Sequence, residues 1–169
     1  SHPGMIGDRC FAFSDLLAGG LQVAMGLETV HRETLAKLNK KMTIKDFSVA
    51  VDALRHHGIP ARAFILLRPP FQGETEGVVW AQRSIRFAFD IGVECCVVIP
   101  TRAGNGVMNL LQRRGDFESP SLDSLEEVLE FGISLRCGRI FVDLWDYRCL
   151  AGTATAVSAR IERAHLESL

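Results

Sequence analysis

Short apolar runs of strand length alternate with segments of helical periodicity along most of the chain, and this alternation limits the fold more than any other feature. The runs lie at residues 21–25, 61–67, 93–99 and 139–144. Apolar residues at helical spacing lie between them, and Thr43 and Ser121 or Ser124 are predicted N-caps. Strands joined by crossovers of this length pair in parallel, because a hairpin joins only antiparallel neighbours. The sequence therefore predicts an α/β fold with about four β-α units.

The length of the chain decides how far such a sheet can close. A closed eight-stranded TIM-like barrel takes about 250 residues, and this chain has 169. We therefore expect a partial (half) TIM-like barrel or an open parallel sheet. The nearly continuous apolar run at 61–67 predicts a strand covered on both faces. The free edges of the sheet are expected to be covered by the N-terminal segment, by a C-terminal helix at 155–166, or by a second copy of the chain.

This fold implies three parts along the chain. Residues 1–20 form an N-terminal lead-in, of which 1–4 read as a tag remnant. Residues 21–150 form the sheet-bearing part, and 151–169 the C-terminal helix.

Composition excludes several functional classes. Lys and Arg total 19 against 20 Asp and Glu, a net charge of −1, so the chain lacks the positive excess that coats nucleic acid over a broad surface. The sequence contains no run of about 20 apolar residues, so we expect no contact with a membrane. The odd number of cysteines favours reduced thiols and a cytoplasmic protein; they are Cys10, Cys95, Cys96, Cys137 and Cys149.

Polar side chains follow each predicted strand. In a parallel sheet these positions meet at one rim, where helix N-termini also attract anions. Glu28, Arg68, Asn105 and Asp143 are the main candidates there. Two structural alternatives stay open: Glu28 as a cap of the following helix, and Arg68 as an ion-pair partner of Asp90 or Asp143.

Four segments resemble the radical S-adenosylmethionine superfamily, in particular its elongator and methylthiotransferase-like enzymes and a branch associated with archaeosine synthesis. They are GLET at 26–29, GIPARAFILLRPPF at 58–71, IPTRAGNG at 99–106 and GRIFVDLWD at 138–146. The resemblance covers about residues 21–147. It implies that Glu28 holds the ribose hydroxyls of S-adenosylmethionine and that Lys40 binds its carboxylate. It also implies that Leu66, Leu67 and Ile99 lie against the adenine, and we add Arg68 and Asn105 as cofactor contacts from the rim.

The sequence departs from this family in one respect that decides activity. The family holds a [4Fe–4S] cluster on three cysteines spaced Cys-x3-Cys-x2-Cys, and this chain has no such spacing. Cys95 and Cys96 are adjacent in a strand and point to opposite faces. We therefore predict that the chain binds neither the cluster nor another metal, and its catalytic residues stay unassigned.

The function implied is that of the C-terminal portion of a radical S-adenosylmethionine iron–sulfur enzyme. The chain would be part of a longer enzyme or a truncated gene product, inactive by itself. S-adenosylmethionine and a [4Fe–4S] cluster are cofactors of the parent protein, and RNA is its substrate by family analogy only. Two alternatives stay open. One is a non-catalytic assembly module that forms a homodimer through its sheet edges; the other is an unrelated α/β enzyme that acts on a small anionic metabolite through Arg68, Asn105 and Asp143.

Overall fold

A computed structural model of the chain describes residues 1–104, 106–145 and 150. The lead-in contains a 3-10 turn at Pro3–Met5 and a helix. The strands are β1 (Val23–Glu28), β2 (Ala61–Leu67), β3 (Cys95–Pro100) and β4 (Arg139–Val142). The helices are α1 (Asp8–Asp15), α2 (Arg32–Lys37), α3 (Ile44–His56), α4 (Glu74–Asp90), α5 (Gly106–Arg113) and α6 (Leu122–Leu135). The predicted C-terminal helix lies outside the described residues.

The four strands form one parallel sheet in the order β1-β2-β3-β4. Each neighbouring pair is joined through helices, as crossover connections require. The sheet stays open, with β1 and β4 at its edges. This confirms the α/β class and the open parallel sheet of a half-barrel.

Local signals explain most element boundaries. The Thr43 hydroxyl accepts from the backbone N–H of Asp46, whose carboxylate accepts in return from Thr43, so a capping box starts α3. Ser121, rather than Ser124, caps α6 through the N–H of Ser124. The second strand ends at Leu67, before the two prolines, as predicted.

The helices α3, α4 and α6 pack on one face of the sheet and bury the core against it. The strand residues of this core alternate with residues that face the other way. The buried set from β2, β3 and β4 is Ala61, Ala63, Ile65, Leu67, Cys96, Val98, Ile140 and Val142.

The opposite face of the sheet, called the open face below, carries half-buried apolar side chains. They are Ala24, Phe64, Leu66, Val97, Ile99 and Phe141. The prediction that residues 61–67 are covered on both faces is therefore wrong for the described part of the chain. The reason is geometric: in a half-barrel this face looks toward the interior that a closed barrel would fill.

The lead-in contacts β1 and α3. The Ser1 ammonium donates to the backbone oxygen of Ala24 at 2.6 Å. The ring of Phe11 in α1 stacks on His57, at the end of α3, with centroids 3.6 Å apart. The N-terminal segment thus reaches the edge that it was predicted to cover, and cover of the whole edge stays a prediction. None of the described helices is long and apolar enough to cross a membrane.

Candidate functional site

Glu28 ends β1 at the rim where the carboxyl ends of the parallel strands meet. Its backbone has φ = 64°, and the β1–β2 register shifts between Gly26 and Glu28. This irregularity turns the Glu28 carboxylate back over Gly26, where an added Cβ would collide with Glu28 Oε1. Only glycine at position 26 leaves room for the carboxylate on the open face.

Lys40 lies beside this carboxylate. Its Nζ is 2.8 Å from Glu28 Oε1, and the two side chains are 47% and 11% exposed, respectively. Two residues with positive φ, Asn39 and Lys41, flank Lys40 and shape the turn that brings it back after α2. Glu28 thus pairs with Lys40, and the N-cap position of α2 is occupied by His31.

The three apolar residues predicted to contact adenine divide between the two faces. Leu66 and Ile99 are register partners on the open face and are half-buried there. They lie about one and two strands away from Glu28. Leu67 is completely buried on the helix-covered face. The structure therefore brings Leu66 and Ile99 to the side of Glu28, and it does not bring Leu67 there.

Arg68 follows β2 with φ = 50° and is held by acidic partners. Its Nη1 donates to Glu74 Oε2 at 2.6 Å and to the Ser119 backbone oxygen at 2.8 Å. Its Nη2 donates to Glu118 Oε2 at 2.5 Å. These partners replace the Asp90 or Asp143 pairing considered from the sequence. Arg68 thus connects the end of β2 to the start of α4 and to the loop before α6.

Glu74 extends this connection. One of its oxygens accepts from the backbone N–H of Ser121 at 2.8 Å and from the hydroxyls of Ser121 and Ser124. Burial by itself would raise the pKa of Glu74, but the hydrogen bonds from Ser124 and Ser121 and the charge of Arg68 outweigh it, so this pKa lies below its ordinary value. Glu74 therefore stays ionised and ties α4 to α6.

The remaining predicted rim residues give a mixed result. Asp143 pairs with Arg102, whose Nη1 lies 3.0 Å from Asp143 Oδ2 and whose Nη2 donates to the Asp143 backbone oxygen. Asn105 lies outside the described residues. The predicted contacts of Arg68 and Asn105 with a cofactor stay predictions.

A polar cluster at the same rim was missed from the sequence. The Thr34 hydroxyl lies 2.7 Å from His31 Nδ1 and accepts from Gln72 Nε2 at 3.1 Å. These side chains join the segment after β1 to the loop after β2. The His31 and Thr34 spacing on α2 was visible in the sequence, but no sequence signal pairs either residue with Gln72.

The two cofactors of the resembling superfamily fit this chain differently. Among residues 1–104, 106–145 and 150, no group of three His, Cys, Asp or Glu side chains is placed to hold a metal ion. An iron–sulfur cluster therefore does not fit the described part of the chain. For an adenosyl group the described residues offer the Glu28 carboxylate, which is paired with Lys40, and the half-buried Leu66 and Ile99 one and two strands away on the same side of the sheet.

Comparison with known proteins finds a similar fold in a solved structure. No family model and no curated protein matches the sequence. A solved structure, the archaeal Methanocaldococcus infernus Elp3 with an N-terminal deletion of residues 1–46, superposes with a TM-score of 0.70 at 15% identity. The chain has the fold of part of Elp3. The match covers 85% of this chain and 33% of that one, so the chain spans about a third of Elp3. At this identity the similarity establishes the fold alone.

Proposed function

We propose that this chain supplies one side of an S-adenosylmethionine pocket in a radical S-adenosylmethionine enzyme, and that the cluster-binding part belongs to another segment. One observation carries the proposal. The Glu28 carboxylate is turned over Gly26 onto the open face, at the carboxyl ends of the strands, and Lys40 lies 2.8 Å from it. Sequence resemblance had assigned these two residues to one cofactor, and they lie together.

Each of these residues has its own role in binding the cofactor. Glu28 accepts hydrogen bonds from two ribose hydroxyls, because an ionised carboxylate has acceptor sites on both oxygens. Leu66 and Ile99 give an apolar surface to the adenine. Lys40 is the mobile part, since half of its side chain is exposed, and it exchanges Glu28 for the carboxylate of the cofactor. The cofactor supplies the radical chemistry when a reduced cluster is present.

Binding measurements test this proposal. We expect S-adenosylmethionine to bind more weakly than about 100 µM, because the cluster and the amino-group contacts are missing. Glu28→Ala should abolish this binding. Glu33→Ala is the matched control, since Glu33 is an exposed acid in the first turn of α2. Equal affinity of the two variants would refute the role of Glu28.

Lys40→Met separates two roles of the lysine. If Lys40 binds the cofactor carboxylate, the variant weakens S-adenosylmethionine binding and leaves adenosine binding equal or stronger. Stronger binding of both ligands would show that Lys40 only competes for Glu28. The coding sequence upstream of Met5 gives an independent test, because three cysteines at the family spacing there would make this chain a segment of the complete enzyme.

The same proposal includes partners. An RNA substrate belongs to the parent enzyme, and a homodimer would use the outer edge of β4, which pairs only with β3 among the described strands. The molecular mass in solution at several concentrations tests the homodimer, and a monomer at every concentration would rule it out.

A small anionic metabolite is a weaker candidate as ligand. The cleft beside Arg68 has a volume of about 480 Å³, and its wall carries Asp116 and Glu118 next to Lys37. Arg68 itself is held by two carboxylates. A free anion would compete with these groups for the guanidinium, so this cleft does not favour it.

A further inference from the structure

A small cleft lies between α2 and the start of α3, and we call it the α2–α3 cleft. Its volume of about 340 Å³ is near the lower end of the range of about 300–1,000 Å³ for small-molecule sites. One wall is a face of α2, on which Leu35 and Ala36 lie three and four residues after Arg32. Neither Glu28 nor Lys40 lines this cleft, so it is separate from the proposed cofactor pocket.

The surface of the α2–α3 cleft is mostly apolar. Leu35 is 5% exposed. On the opposite wall, Met42 in the turn before α3 and Ile44 at the start of α3 are half-buried. A concave site with apolar walls and a few polar groups is typical of ligand binding. A ligand that covers these side chains removes apolar area from water, which favours binding.

The charged residues that line this cleft are both positive. They are Arg32 and Lys45, and both are exposed. Among the described residues neither forms an ion pair or a side-chain hydrogen bond, and Glu33, next to Arg32, pairs with neither of them. No described Asp or Glu lines the cleft. The two cations therefore lie beside an apolar surface without an anion of the chain between them.

Asp46, the acid that follows Lys45, is bound elsewhere. Its carboxylate accepts from the backbone N–H and from the hydroxyl of Thr43, at 2.7 and 2.8 Å. It lines a neighbouring cleft together with Lys40 and Lys41. The hydrogen bonds from Thr43 lower the pKa of Asp46 most, and the charge of Lys45 contributes least. The attraction between Asp46 and Lys45 is thus weak, and the lysine is available to a ligand.

We propose that the α2–α3 cleft binds the anion of a free medium-chain carboxylic acid. The hydrocarbon chain covers Leu35, Met42 and Ile44, and the carboxylate meets the two cations. Arg32 can donate two parallel N–H bonds to a carboxylate, and Lys45 adds a point charge. A fully polar anion such as phosphate fits less well, because it would exchange water for apolar side chains that give no hydrogen bonds.

Methyl NMR with ¹³C-labelled methionine locates the ligand, because only Met42 of the four methionines lines this cleft. We expect octanoate to shift the Met42 methyl resonance saturably and to leave that of the fully buried Met25 unchanged. Met5 is the control for non-specific adsorption, since it is 71% exposed and lines another cleft. No saturable shift of Met42, or shifts of Met5 and Met42 with equal affinity, would overturn the proposal.

A series of ligands tests the two parts of the site. Each methylene that the cleft covers should strengthen binding about fourfold, so octanoate should bind more tightly than hexanoate and far more tightly than acetate. Octanol has the same chain length without the charge and should bind more weakly than octanoate. Equal affinity of octanoate and octanol would contradict the role of the cations, and equal affinity of octanoate and acetate would contradict the role of the apolar surface. Binding to phosphatidylglycerol vesicles in a sedimentation assay would make a membrane lipid the ligand and would overturn the proposal of a free acid.

Variants of the lining residues complete the test. Arg32→Gln and Lys45→Gln should each weaken octanoate binding about threefold, as the loss of an exposed ion pair does, and leave octanol binding unchanged. Lys41→Gln is the matched control, since Lys41 is exposed and lies outside this cleft. Ala36 is exposed on α2, so Ala36→Glu and Ala36→Gln should both fold, and the added carboxylate should weaken octanoate binding much more than the amide of the same size. Equal octanoate affinity of Lys45→Gln and Lys41→Gln, or of Ala36→Glu and Ala36→Gln, would refute the site.

Discussion

Replacing Glu74 by alanine should destabilise the chain far more than replacing Glu118, although both acids bind the same guanidinium. Glu74 accepts hydrogen bonds from Arg68, from the backbone and hydroxyl of Ser121, and from the hydroxyl of Ser124. Among the described residues, Glu118 binds only Arg68, and its side chain is 71% exposed. The comparison tests whether Arg68 and Glu74 hold the rim together.

The size of the effect follows from these contacts. A hydrogen bond to a charged group contributes about 1.5–3 kcal/mol to the free energy of unfolding. Glu74 accepts several such bonds, but its side chain is 35% exposed. Water therefore compensates for part of the energy of these bonds when the carboxylate is removed. Arg68 also keeps Ser119 and Glu118 as acceptors. We therefore expect Glu74→Ala to cost about 2 kcal/mol, which lowers the melting temperature by about 4–8 °C in a chain of this size.

Urea denaturation and thermal melting, both followed by circular dichroism, measure this loss. Glu118→Ala should cost less than about 0.5 kcal/mol, as exposed ion pairs do. Glu76→Ala is a second control, since this exposed acid shares the first turn of α4 and reports the helix-dipole contribution alone. Equal losses in Glu74→Ala and Glu118→Ala, or a loss of less than about 0.5 kcal/mol in Glu74→Ala, would refute the assignment.

Three further predictions concern pH, thiol chemistry and the core. The pKa of Glu74 is lower in the folded chain than its ordinary 4.5, so ionised Glu74 stabilises the folded chain fully above about pH 4.5, and this stabilisation is lost as the pH falls through the folded pKa. Between pH 7 and pH 3 the melting temperature should therefore fall less steeply for Glu74→Gln than for the unmodified chain. Mass spectrometry after brief alkylation should find the exposed Cys137 modified and the buried Cys96 unmodified, since burial raises the pKa of Cys96 well above its usual range. Modification of both cysteines at the same rate would contradict the burial of Cys96. Phe47→Ala should lower the free energy of unfolding by about 3–5 kcal/mol, because Phe47 is fully buried in the core. Val49→Ala, on the exposed side of the same helix, should change this free energy by less than about 0.5 kcal/mol. Similar losses for the two variants in urea denaturation would be inconsistent with the packing of α3.

The sequence predicted the elements whose signals are local. The second strand has the predicted bounds, because an apolar run and two prolines define it within residues 61–70. The cap of α3 was predicted from Thr43 for the same reason. The boundaries of the first and third strands shifted by one to three residues, since their ends depend on pairing with neighbouring strands.

The candidate site was only partly predictable. The resemblance assigned Glu28 and Lys40 to one site, and the structure joins them, although it shows an ion pair between them. The partners of Arg68 were not predictable, because Glu118 lies 50 residues away and meets it only when α6 packs beside α4. The face that Leu67 takes was not predictable either, because a continuous apolar run carries no alternation that tells one face from the other.

From the sequence alone, the alternation of strands and helices, the parallel pairing and the rim positions follow, because periodicity, caps and crossover length act over short stretches of chain. Only the tertiary structure decided which face of the sheet stays open and which charges meet. The register of the strands sets both: it places Arg62 and Arg139 in one row and turns Glu28 over Gly26. Register is a relation between segments far apart in the chain, and it depends on how a whole sheet packs against its helices.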